Sequence, residues 1–219
     1  MREARPLPGG NPFSTRHVRP GALPFFFGPG QDLEGLLDRL EGQGRWGQVV
    51  GPHGTGKSTL IRALLPGMQQ RGWRPLLIQL SAQQRRLWRA GGVSPLLFTA
   101  LAEEGPRVLV IDGYEQLGWP VRWRLKRACR RGGHGLVVTA HTGVGLPELY
   151  RTRVDAALAG RVVRALVPEE QRPLVDGADL GALVRTHGGN LRAVLFALYD
   201  LYEQRRRSQR QSGPLVPLS

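Results

Sequence analysis

Apolar residues fall along the chain in two rhythms. Four runs are apolar almost throughout: "WGQVV" (46–50), "RPLLIQL" (74–80), "RVLVID" (107–112) and "GLVVTA" (135–140). Such runs predict strands buried on both faces. Between them the apolar positions recur every three or four residues. Leu33, Leu36, Leu37 and Leu40 share one face of "QDLEGLLDRLE", and a second helix opens near Lys57. Ser94-Pro95 sets an N-cap before proline at the first helical position, opening a helix to about Glu104. A basic helix spans about 120–131. Alternating strands and helices predict an α/β fold whose parallel sheet is covered on both faces. Beyond 154 the pattern is purely helical. Val154, Leu158, Val162 and Leu166 share a face, "ADLGALVRTH" follows, and Asn190 caps "NLRAVLFALYDLYEQRRR".

The flanks read differently. Residues 1–30 hold six prolines and five glycines and predict an extended arm, docked on the body through Phe25–Phe27. Residues 205–219 are rich in Arg, Ser, Gln and Pro and predict a basic disordered tail. The expected organisation is an arm (1–30), an α/β core (31–153), a helical segment (154–204) and the tail (205–219).

Composition narrows the class. The 219 residues are 41% hydrophobic with a mean hydropathy of -0.27, and no run approaches the ~18 apolar residues of a membrane span. The first residues lack the apolar centre of a secretory signal, and Cys129 is the only cysteine, which excludes an internal disulfide or a cysteine zinc site. A cytoplasmic protein without membrane contact is expected. The net charge of +14 implies an anionic partner such as nucleic acid, or else an arginine-heavy composition. Lys57 and Lys126 are the only lysines and glycine is also high, which favours the second reading and leaves charge alone undecided between the two.

"GPHGTGKST" carries the chemistry: Gly51, Pro52, His53, Gly54, Thr55, Gly56, Lys57, Ser58 and Thr59. It contains G-x-x-x-x-G-K-[ST] between a strand and a helix, where glycines let backbone N–H groups cradle phosphates. Lys57 would reach the β- and γ-phosphates of ATP, and Ser58 would offer a hydroxyl to Mg²⁺. His53 sits at a variable position and is expected to point outward. Asp112 ends an apolar strand, the place from which a carboxylate holds the water shell of Mg²⁺.

These motifs resemble those of AAA+ and STAND ATPases of the initiator type. "FFFGPGQDLEGLLDRL" (25–40) resembles the aromatic-glycine box near the adenine, with Pro29 where the family commonly has arginine. "GLVVTAHTGVGLPELYRTR" (135–153) resembles the sensor-1 strand and its loop, and "HGGNLRAVLFAL" (187–198) the sensor-2 helix of a lid. The resemblance implies a P-loop NTPase three-layer αβα sheet with a small C-terminal helical lid. It implies Thr139 as sensor 1, Arg192 as sensor 2, and Arg151 or Arg153 as a finger reaching a neighbour in a homo-oligomer.

One departure concerns the reaction itself. Gly113 stands where the family commonly carries the catalytic glutamate, and Glu115 is the next acid. The expected function is a slow ATPase acting as a switch or assembly factor, with Glu115 orienting water. The alternatives are an ATP/ADP-binding interaction module without hydrolysis, or a small kinase. The kinase is disfavoured because "IQLSAQQRR" ends its strand without an acid; a transporter ATPase is disfavoured because no Leu-Ser-Gly-Gly-Gln occurs.

"VRWRLKRACRR" (121–131) sets Arg122, Arg124, Lys126, Arg127, Arg130 and Arg131 on one broad arc around Trp123, opposite Val121, Leu125, Ala128 and Cys129. It reads as a nucleic-acid platform, as a contact for a partner protein, or as a solvated basic face. Arg85, Arg86 and Arg89 around Trp88 form a second such cluster.

Overall fold

A computed structural model of the protein describes residues 10–18, 22–80, 105, 107–176 and 178–211. The helix expected from Ser94 and the cluster around Trp88 lie outside the described residues. The chain divides into two compact units, Phe27–Arg153 and a second formed by Met1–Phe26 with Val154–Ser219.

The larger unit is built on a parallel sheet. Its described strands are β1 (Trp46–Val50), β2 (Pro75–Gln79), β3 (Val108–Asp112), β4 (Gly135–Ala140) and β5 (Glu148–Arg151), in the order β2-β3-β4-β1-β5. Every pairing is parallel, which requires crossovers over the faces. β5 is four residues long with only Leu149 and Tyr150 buried, too short to stand out as an apolar run. A register shift at Gln48 and Val49 accompanies its pairing with β1. The Gln48 side chain is spent locally: it accepts from Val144 N and donates to Leu146 O, both at 2.7 Å, and so pins the loop between β4 and β5.

Numbering helices from the short turn α1 (Thr15–Val18), three cover this sheet: α2 (Leu33–Gly42), α3 (Lys57–Gln70) and α4 (Trp119–Arg131). Asp32 caps α2 by accepting from Gly35 N at 2.8 Å. Val121, Leu125 and Cys129 recur at four-residue steps on α4 and pack on Leu109, Ile111, Leu136 and Val138. Alternation along a strand turns Val108, Val110 and Val137 to the other face, and α2 and α3 pack together where Gly67 leaves room for Leu37. The result is three layers.

The second unit is helical: α5 (Ala156–Leu166), α6 (Leu180–Thr186) and α7 (Leu191–Gln211), with a 3₁₀ turn at Glu169–Leu174. Side chains cap each α-helix: Asp155 accepts from Leu158 N, Asp179 from Ala182 N and Asn190 from Ala193 N. The arm is built into this unit. Phe13 is fully buried among Val162, Leu166, Val194 and Leu198, edge-on to Tyr202 at 6.4 Å. Asn11 fixes it there, donating to Tyr199 O and Glu203 Oε1 and accepting from Phe13 N. Arg16 through Val18 and Pro24 through Phe26 continue along the same unit, and Phe26 packs on its core. The stretch read as a tail begins in helix, because α7 runs to Gln211 and Arg205 donates to the carbonyls of Leu174 and Asp176. No helix among the described residues is long and apolar enough to cross a membrane.

Candidate functional site

The loop of residues 51–56 joins β1 to α3 at the C-terminal edge of the sheet. Gly54 (φ +70) and Gly56 (φ +95) are left-handed, a conformation that disfavours other residues. Gly51 is fixed by proximity, since an added Cβ would lie 2.6 Å from Thr152 O. Thr55 and Thr152 brace the loop from inside. Their hydroxyls are 2.6 Å apart, and Thr55 Oγ1 also donates to Pro52 O at 2.8 Å. Lys57 is buried, and its Nζ donates to Gly51 O and Pro52 O at 2.6 Å each. Burial pulls its pKa down, while Glu115 and then Asp112 pull it back up. Ser58 and Thr59 follow in the first turn of α3.

Asp112 is the centre of a second network. Its Oδ1 accepts from Ser58 Oγ at 3.0 Å and from Thr139 Oγ1 at 2.7 Å, and Oδ2 accepts from Gln79 Nε2 at 3.3 Å. Ends of α3, β2 and β4 therefore converge on one carboxylate. A hydroxyl and a carboxylate so placed, beside the lysine of a phosphate loop, are a donor set that suits Mg²⁺ carried on a nucleotide. Thr139 is buried with its hydroxyl fully used, because it also accepts from Gly113 N at 2.8 Å. It orients Asp112 and closes the turn after β3.

Gly113 has a physical cause. It lies at φ +89, and a Cβ there would come within 2.8 Å of Leu80 O. No side chain, and so no carboxylate, fits beside Asp112 in this backbone. Glu115 takes up position from a 3₁₀ turn at Tyr114–Gln116. Its Oε1 lies 3.4 Å from His141 Nε2, while Oε2 is buried with no hydrogen-bond partner among the described residues. His141 in turn lies against His53 of the phosphate loop, ring centroids 3.7 Å apart. His53 is exposed, as expected of a residue that points outward, and one side of its ring rests on His141. Desolvation lowers the pKa of His141, with Glu115 opposing and His53 and Lys57 reinforcing the shift.

His141 and Thr152 are the residues missed by sequence reasoning. The signal for the first is its place: His141 directly follows β4, two residues after Thr139, at the strand end that carries the site. Nothing in the pattern announces Thr152, which meets the loop only through the pairing of β5 with β1.

No family model and no curated protein sequence matches the chain. Solved structures do. Domain III of the replication initiation protein DnaA from Thermotoga maritima superposes with a TM-score of 0.54 at 16% identity, over 85% of this chain and 88% of that one. A replication initiator DnaA bound to AMPPCP and single-stranded DNA gives 0.53 at 14%, over 85% and 67%. A DNA replication initiation factor gives 0.50 at 14%, over the same shares. The chain has the fold of AAA+ P-loop ATPases.

Within this AAA+ fold the arginines divide by what they touch. Arg151 pairs with Glu148 on β5, and Arg153 is exposed at the end of its unit. Arg192 is exposed in the first turn of α7, in the helical unit. On α4 the single arc of cations does not hold. Arg122 turns back, donating through Nε to Leu117 O at 2.9 Å and through its other nitrogen to Glu115 O at 3.1 Å. Lys126 Nζ donates to Val144 O at 2.9 Å. Both secure backbone beside the site, and Cys129 on the inner face is a buried thiol.

Proposed function

We propose that the chain binds Mg²⁺-ATP at this site and hydrolyses it slowly, as a nucleotide-controlled switch of the AAA+/STAND kind. Lys57 holds the β- and γ-phosphates, and Ser58 and Asp112 hold Mg²⁺, which would neutralise charge on the phosphates. Glu115 orients a water in line with the γ-phosphorus and takes its proton as ADP leaves. The observation that carries hydrolysis is the half-buried Glu115 carboxylate, steadied on one oxygen by His141 and unpartnered on the other. Its charge also bears on Lys57, whose pKa it raises against the effect of burial. The rate is slow because the base reaches in from a turn two residues beyond the usual position.

In this reading the helical unit is a lid, Arg192 reports the phosphates from it, and Arg151 or Arg153 reaches the nucleotide of a second copy. The protein works in the cytoplasm on an anionic partner, nucleic acid. A second reading, binding of ATP or ADP without turnover, is favoured by one observation: Gly113 leaves no room for a base next to Asp112. Nucleotide titration with and without Mg²⁺, followed by steady-state phosphate release, separates the two. Tight Mg²⁺-dependent ATP binding with release abolished in Lys57→Ala supports hydrolysis; binding without release supports the module; no binding by either nucleotide defeats both.

A further inference from the structure

We infer that the outward face of α4 is a platform for single-stranded nucleic acid, with Trp119 and Trp123 stacking on bases and Arg127, Arg130 and Arg131 meeting phosphates. Trp119 is 76% exposed and Trp123 54%, on a helix whose apolar positions are already satisfied against the sheet. Two indoles left in water need a use beyond the fold. They are four residues apart, and Arg127 is four further on, so the three form one stripe with steps of about 6 Å along the helix. The Arg127 guanidinium lies 5.7 Å from the Trp123 ring centre, a cation–π contact along the same stripe. Arg130 leans similarly on Trp46 at 5.4 Å, next to exposed Arg131.

The chemistry of the face selects the partner. Thirteen residues of α4 include no acid, so a polyanion meets no repulsion along its length. Guanidinium groups alone would hold duplex and single strand alike. Exposed indoles add stacking, which only unpaired bases offer. Lipid is a poorer match, because Val121, Leu125 and Cys129 are buried and the helix has no apolar face left to insert. The platform also touches the nucleotide site: Arg122, between the two tryptophans, grips the carbonyl of Glu115. A strand seated on α4 would therefore stiffen the turn that carries the base, a coupling that rests on the hydrolysis reading above.

The test is anisotropy with labelled oligothymidylate of roughly 20 nucleotides, a duplex of equal length and anionic vesicles, each titrated against salt. The single strand should bind most tightly. Trp119→Ala/Trp123→Ala should weaken it about tenfold or more, as stacking energies imply, and leave duplex affinity within about twofold. Both positions are exposed, and unchanged circular dichroism and nucleotide affinity will show that the variant is folded. Equal losses for strand and duplex, preference for vesicles, or no binding to the single strand would overturn the inference. If the strand binds through the tryptophans but never changes phosphate release, the platform stands and its coupling to hydrolysis fails.

Discussion

Thr139 Oγ1 donates to Asp112 Oδ1 at 2.7 Å while accepting from the amide of Gly113 at 2.8 Å. One hydroxyl thus aims the carboxylate that would face Mg²⁺ and closes the turn that leads to Glu115. Thr139→Val keeps the shape and removes both bonds, leaving a donor unpaired beneath the sheet edge. Loss of about 1–3 kcal/mol in stability is expected from urea unfolding, together with a higher Mg²⁺ requirement for ATP binding. Thr139→Ser should restore both.

Gly113→Glu would place a carboxylate directly after Asp112. In this backbone it should not create a faster enzyme. With φ at +89 and Leu80 O at 2.8 Å from any Cβ, the substitution should cost about 1–3 kcal/mol from backbone strain, more from the clash. Thermal unfolding reads the loss. A stable variant with increased turnover would show that the turn re-forms freely.

His141 links acidity to the site. Its folded pKa lies below the ordinary 6.5, so the native state binds fewer protons than the unfolded chain as pH falls through that range. Its contribution to stability is present above 6.5 and is lost on acidification towards the folded value. Protonation would also draw Glu115 into a full ion pair and weaken it as a base. Turnover should therefore drop only when the pH has fallen past the ordinary imidazole range to the lowered folded value, and His141→Gln should flatten the acid limb of both the stability and the rate profile.

Most of the sheet was legible. β1, β3 and β4 are largely apolar runs, and their parallel direction follows from helices placed between them. The phosphate loop was legible because its glycines and lysine are local to one turn. What stayed hidden depends on residues distant in sequence. His53 and His141 meet only because β1 and β4 are neighbours. Resemblance singles out Thr139 as sensor 1, but its bonds to Asp112 and Gly113 appear only once β3 and β4 are paired. Composition masked the roles of the α4 cations, since an arginine gripping a carbonyl and one facing solvent look the same in a string of letters.

The arm illustrates the same limit. Its prolines and glycines predict an extended arm docked through Phe25–Phe27, yet it is Phe13 that lies at the centre of the helical unit. Phe13→Ala should cost about 3–5 kcal/mol, and Asn11→Ala about 1–3 kcal/mol through its three hydrogen bonds, both measured by denaturant unfolding. Equality with the parent protein in both variants would mean that the arm does not contribute to the core.

The central claim, that Glu115 is the base of an ATPase, is tested most directly by single-turnover phosphate release from bound ATP in Glu115→Gln. The amide keeps the size of the side chain and removes its basicity. ATP and Mg²⁺ affinity should stay within about twofold, while the rate falls about a hundredfold or more, the usual contribution of a general base. A glutamine variant that releases phosphate as fast as the parent, from equally well bound ATP, would contradict it.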